Sequence, residues 1–301
     1  MQETIYDRTS PNDPAIMDRI HDINLESLEE LKRIAEKHGI TYYVAYGALL
    51  GSLRYKDFIP WDNDVDVMIT RGELEKLLRI LPEELDSERF FLVTPDMYGK
   101  HYRDIVPFIA YKKARIKLDP EVDAFYNHLS GYITLDFFIL DRIPDDRKGK
   151  FLQDRLMLLV AMANGHRMST NYADYHGILK VAAFVLGAVG KLIPASYFRK
   201  RIAKVAAKYN DDPRVTTYAV TNDNMTSYSM RISVSDFEGT QEIELRGKKY
   251  PAAKSFDEAL RQYYGDDYMT PPPYEKRTMH LGFMRTTGDD RLYAEDFIFE
   301  D

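Results

Sequence analysis

Apolar residues recur at roughly helical spacing through Ile16, Ile20, Ile23, Leu28, Leu31 and Ile34 and stop at Gly39, which predicts an amphipathic helix. ITYYVAY (40–46) is β-branched and aromatic, so it reads as a strand running into Gly47 and a helix-like ALLGSLRYK. A turn-rich DFIPWDN leads to a second strand, DVDVMIT (64–70). Thr70 with Glu73 three residues on predicts a capping box opening the helix GELEKLLRIL. Further strands are expected at 89–94, within 106–118 and at 132–140, and a helical pattern runs from about 147 to 209. Strand and turn character then returns to about residue 250, and Ser255 begins a short helix stopped by Gly265. The expected class is α/β: a small mixed sheet flanked by helices, followed by a more helical second half. Residues 1–14 read as a polar arm, 15–145 as the catalytic core and 146–301 as a completing region packed with it.

Composition narrows the field. A chain of 301 residues with 45% hydrophobic residues can bury a sizeable core. It has no cysteine, which excludes disulfides and zinc–thiolate sites and fits a cytoplasmic protein. A net charge of −7 argues against nucleic acid as a partner. No apolar run reaches the roughly 18 residues that a membrane span needs, and the polar N-terminus does not read as a secretory signal.

The chemistry is concentrated in DVDVMI. Residues two apart on a strand project from one face, so Asp64 and Asp66 stand side by side while Val65 and Val67 face a core. Two adjacent carboxylates repel unless a cation lies between them, and hard oxygen ligands favour Mg²⁺ or Mn²⁺. D-x-D alone is more often the pattern of two solvated strand-end carboxylates, and it is the context that changes the weighting. A third carboxylate, Asp136, interrupts the apolar strand ITLDFFIL, where an unpaired charge would be costly. Upstream, Gly47 opens a helix whose first amides suit a phosphate. Strand, small-residue turn, helix, D-x-D strand and a later Asp strand is the layout of a nucleotidyltransferase-like fold.

The longer segment AYGALLGSLRYKDFIPWDNDVDVMI (45–69) closely resembles the signature of the LicD family. YITLDFFILD resembles that family's third-aspartate strand, and GKKYPAAKSFDEALRQYYGDDYMTPPPYEKRTMH (247–280) its closing motif. The resemblance implies transfer of phosphocholine or a related phospho-alcohol from a CDP-activated donor such as CDP-choline to a hydroxyl of a glycan or polyol, with release of CMP. It implies that Asp64, Asp66 and Asp136 hold the metal, with Asp136 alternatively taking the acceptor's proton. Gly47 and Ala48 would face the donor phosphate, Arg54 would bind phosphate or brace the fold, and Trp61 would lie beside the metal strand. Ala48 stands where the family usually carries Thr or Ser, and Asn63 replaces a common Asp. The competing functions are a nucleotidyltransferase on the same fold, releasing pyrophosphate, and a non-catalytic glycan- or nucleotide-binding protein.

Weaker signals have plainer readings beside them. Lys113, Arg115 and Lys117 would share one strand face, either as a solvated surface or as a guide for an anionic donor. His101 reads as a surface-loop histidine, with lining of the cleft as the alternative, and His280 as a brace of the fold. Trp61, Tyr98, Tyr102 and Tyr126 have the chemistry of a cage for a quaternary ammonium, but nothing in the sequence gathers them. The segment 178–193 is apolar nearly all round, which usually means core. The next helix carries Arg199, Lys200, Arg201, Lys204 and Lys208, so the alternative for 178–209 is peripheral contact with the inner face of an anionic membrane that carries a lipid-linked acceptor.

Overall fold

The computed structural model describes residues 13–168, 170, 172, 176–222, 232–273, 277 and 296–300. Helix α1 (Pro14–His38) is capped by the Asp13 carboxylate, which accepts from the Ala15 and Ile16 amides, and it stops at Gly39 as expected. Strand β1 is only Tyr43–Val44, because the chain turns at Ala45 into α2 (Tyr46–Tyr55). There follow β2 (Val65–Thr70), α3 (Arg71–Glu84), β3 (Phe90–Val93), β4 (Phe108–Ile116), α4 (Pro120–Phe125) and β5 (Tyr132–Arg142). Then come α5 (Lys148–His166), α6 (Gly177–Leu192), α7 (Ala195–Ala206), β6 (Thr217–Val220) and β7 (Ile232–Ser233). The hairpin β8 (Thr240–Leu245) and β9 (Lys248–Ala253), helix α8 (Asp257–Tyr264) and strand β10 (Phe297–Phe299) complete the described elements.

β5 is the spine of a mixed sheet. It pairs in parallel with β2, and antiparallel with β4 and β6. β1 extends the sheet beyond β2, while β3 and β10 extend it beyond β4. The period of two then divides the residues. Val65, Val67, Ile69, Leu135 and Phe137 enter the main core beneath α1 and α3, which contribute Leu28, Leu31, Leu74 and Leu77. On the other face Met68 and Leu140 pack with Tyr43, Tyr46, Val220 and Phe237. Asp66 and Asp136 share this second face by the same alternation.

Two ionic ties hold the peripheral pieces. Arg246, at the β8–β9 turn, pairs with Asp18 and Asp22 of α1 and with Asp57 after α2, at 2.6–2.8 Å. Asp141 is fully buried on β5, where Arg71, Asn210 and Thr221 all donate to it. A buried carboxylate is tolerable only with such satisfaction.

Two expectations are corrected. Thr70 occupies the N-cap position of α3, but its side chain makes no cap bond. Glu73, expected to reach back to it, instead accepts from the Thr41 amide and pairs with Lys76. The tertiary partners simply compete for the same carboxylate. The second correction concerns 178–193, expected in the core. Helix α6 buries Ala183, Gly187 and Gly190 and turns its large apolar side chains outward, with Ile178 83% and Leu192 84% exposed.

Candidate active site

The site begins where β1 becomes α2 without a loop. Tyr46 takes a positive φ of 43°, a conformation that costs about 1–3 kcal/mol in a bulky residue and persists only where the surroundings enforce it. The Phe138 and Tyr263 rings clamp it at 5.1 and 4.8 Å. Gly47 follows, and a Cβ there would collide with the Asp62 carboxylate. The glycine is therefore needed for close approach: it lets an acidic side chain rest against the start of a helix, where the dipole favours negative charge. Asp62 is further positioned through its carbonyl, which lies 2.9 Å from His21 Nε2.

Asp62, Asp64 and Asp66 alternate along the chain leading into and through β2, and Asp66 stands in register with Asp136 across the parallel β2–β5 pair. Each of these aspartates is half-buried as a residue. Burial nevertheless dominates their electrostatics. It raises Asp64, and the neighbouring Asp62 charge raises it further. It raises Asp136, with the Asp64 charge adding to the effect and the Arg103 guanidinium opposing it. Asp62 is raised by burial too, partly offset by a hydrogen bond with Asp64. Like charge thus adds to burial in disfavouring the ionised forms of Asp64 and Asp136. Asp136 Oδ1 is buried with no hydrogen-bond partner.

These features fit a divalent cation in donor chemistry: hard oxygens, repulsion that a cation relieves, and one orphaned carboxylate oxygen. Among the described residues, no three His, Asp or Glu side chains are gathered closely enough to hold a metal ion as they stand.

The other residues singled out from the sequence fall as follows. Ala48 packs its methyl into the main core, so only its backbone belongs to the helix start. Arg54 braces the fold, donating to the carbonyls of Tyr268 and Thr270. Trp61 lines a groove with Arg54, Tyr264, Tyr268 and Pro271–Pro273, and the Arg277 guanidinium lies 5.0 Å from its ring centre. Tyr98 and Tyr126 are buried together in one cluster and Tyr102 in another, away from this groove, so no four-membered aromatic cage forms. The His101 ring lies against Phe125, tilted, with centroids 4.0 Å apart. Arg115 pairs with Asp123, a structural role. His280 lies outside the described residues.

Three groups near the carboxylates escaped the sequence reading. Asp62 could have been found by extending the alternation one step back from D-x-D. Arg103 is half-buried, pairs with Asp104 and is felt by Asp136. It lies in a loop with no motif to flag it. Tyr264, on the last turn of α8, has its hydroxyl pKa raised by burial first and then by Asp62 and Asp66, which keeps it protonated and able to donate.

Residues 39–147 match the family model described as LicD/FKTN/FKRP, nucleotidyltransferase domain. That span contains the β1–α2 turn, the D-x-D strand and the Asp136 strand. The chain is similar to the lipopolysaccharide cholinephosphotransferase LicD of Haemophilus influenzae, with 22% identity over 262 residues, covering 85% of this chain and 92% of that protein. It is also similar to the human ribitol 5-phosphate transferase FKRP, with 29% identity over 136 residues, covering 43% of this chain and 26% of that protein. The family model thus matches the segment in which the LicD-like motifs lie, and the similarity to LicD itself extends over most of the chain.

Proposed function

We propose that this chain transfers a phospho-alcohol group, phosphocholine or a close analogue, from a CDP-activated donor to a hydroxyl of a glycan or polyol. The observation that carries the reading is the carboxylate cluster at the β2–β5 junction, where Asp66 stands level with Asp136 and burial raises Asp62, Asp64 and Asp136, like charge adding to it at Asp64 and Asp136. Named relatives support it: one is a cholinephosphotransferase and another a ribitol 5-phosphate transferase, both moving a phosphorylated alcohol.

Asp64, Asp66 and Asp136 would hold Mg²⁺ or Mn²⁺, which supplies neutralisation of the donor's phosphate charge and of charge developing on the leaving group. The chain's own residues account for the remaining steps. Trp61 offers an aromatic face and Arg277 a cation at the groove beside the carboxylates, suited to a base and a phosphate respectively. The acceptor oxygen attacks the phosphorus bearing the alcohol, a new P–O bond forms, and the bond to CMP breaks. The acceptor's proton passes to a carboxylate: Asp136, raised by burial and by the Asp64 charge, takes it in the alternative where Asp64 and Asp66 hold the metal without it. Arg103 would hold Asp136 in place, and Tyr264 would donate to a developing charge.

The same fold running as a nucleotidyltransferase would expel pyrophosphate instead. A panel of CDP-alcohols and nucleoside triphosphates, with CMP and pyrophosphate scored separately, distinguishes them. CMP release dependent on acceptor is the expected result; pyrophosphate release from a triphosphate, with no turnover of any CDP-alcohol, would overturn the reading.

A further inference from the structure

Helix α6 is built inside out. Its small residues Ala183, Gly187 and Gly190 face α5, where a Cβ on Gly190 would collide with the Ala161 carbonyl and one on Gly165 would come within 2.7 Å of the Gly190 backbone. Close approach through small residues is how helices pack when their outer faces meet lipid. The large side chains Ile178, Val181, Phe184, Val185, Val189 and Leu192 are all exposed. A contiguous apolar face of this kind on a helix surface marks an interaction site.

Charge indicates what covers it. From His176 to Asn210 the chain contains seven Lys and Arg residues and no Asp or Glu, within a protein of net charge −7. Lys180, Lys191, Lys200, Arg201 and Lys204 are exposed and make no ion pair among the described residues. Arg199 is the exception, paired with Asp96 and bonded to the Gly99 carbonyl. Two copies of the chain meeting through α6 would bring these cations together. An anionic bilayer would neutralise them while taking up the apolar side chains.

We infer that α6 docks in the plane of an anionic membrane surface, with the cations of α6 and α7 beside the headgroups. The element rests on the bilayer and does not cross it. Sixteen helical residues span about 24 Å, short of a hydrocarbon core of about 30 Å. The chain also bends by 113° between α6 and the following helix. α7 cannot prolong the apolar segment into lipid, because its Phe198, Ile202 and Ala206 are buried against the protein. This inference is independent of the chemistry assigned to the carboxylate site.

Co-sedimentation of the full chain with phosphatidylcholine vesicles, with and without phosphatidylglycerol, tests it. Binding to the anionic vesicles at low salt is expected, weakening as salt screens the charges. F184D combined with V181D should reduce binding at least ~10-fold, since a charge replaces an inserted apolar group. K200E with K204E should reduce it roughly 10-fold or more through the surface potential. Both pairs lie at exposed positions, so unchanged thermal unfolding is expected and confirms that the variants fold. The inference is overturned by absence of binding at low salt, or by binding that neither pair weakens. It is equally overturned by sedimentation of a dimer that F184D/V181D splits while the wild type ignores vesicles.

Discussion

The carboxylate site and helix α6 break the inside–outside rule in opposite senses. At the β2–β5 junction, acidic groups sit where burial penalises their charge. On α6, side chains that belong in a core face outward. Elsewhere a similar exception is compensated on the spot: Asp141 is fully buried but receives Arg71, Asn210 and Thr221. The contrast separates structure from function. A buried charge with its partners in place is architecture, whereas one left with an orphaned oxygen calls for something brought from outside. The apolar face of α6 poses the same demand in hydrophobic terms.

The largest expected effect breaks the acidic half of the comparison. Asp64→Asn or Asp66→Asn should lower turnover by at least ~10³-fold. Without divalent ion, Asp64→Asn should hold or raise the melting temperature, because it removes one member of a repelling set. Metal-dependent turnover and thermal unfolding on the same samples check both parts. Asp136→Ala should cost at least ~10²-fold in rate while the protein stays folded. If unfolding falls steeply and residual activity per folded molecule is unchanged, Asp136 is a structural residue like Asp141.

Much of this was legible from residues alone, and the failures are instructive. Asp64, Asp66 and Asp136 stood out because a strand's alternation forces charges onto one face, and the register of β2 against β5 then brings Asp66 level with Asp136. Gly47 was legible as a special position, but its neighbour was not: the sequence suggested a phosphate, and the Asp62 carboxylate rests there. Arg103 and Tyr264 reach the site from a loop and from a helix end, contacts set by tertiary packing that no local pattern encodes. α6 was misread because periodicity reports which positions are apolar and not what surrounds them. When every face is apolar, only the structure reveals that α5 selects the small-residue face.

A smaller effect concerns pH. The raised carboxylates bind protons in the folded protein that they release on unfolding, so folding stability is greatest below their unfolded pKa of about 4 and declines as pH rises toward the folded values of about 6 to about 8. In chelator, the melting temperature should therefore fall between pH 5 and pH 8 by several degrees, on the order of 2–4 °C per kcal/mol for a domain of this size. Mg²⁺ or Mn²⁺ should flatten that decline, and Asp64→Asn should reduce it. The smallest effect sharpens the apolar half. Phe184→Ser should change stability by no more than about 0.5 kcal/mol, as at any exposed position. Phe137→Ala, in the core, should cost about 3–5 kcal/mol. Denaturant unfolding of the two variants compares them, and equal losses would return α6 to the core.

The central claim is that the carboxylates of the β2–β5 junction await a divalent cation used in handling a CDP-activated donor. Calorimetric titration of Mn²⁺ into the protein at pH 8, with and without CDP-choline, tests it directly beside Asp64→Asn and Asp136→Asn. Saturable binding is expected, strengthened by the donor and weakened at least ~10-fold by either substitution. Absence of Mn²⁺ binding with donor present, or binding that both variants retain at full strength, would contradict it.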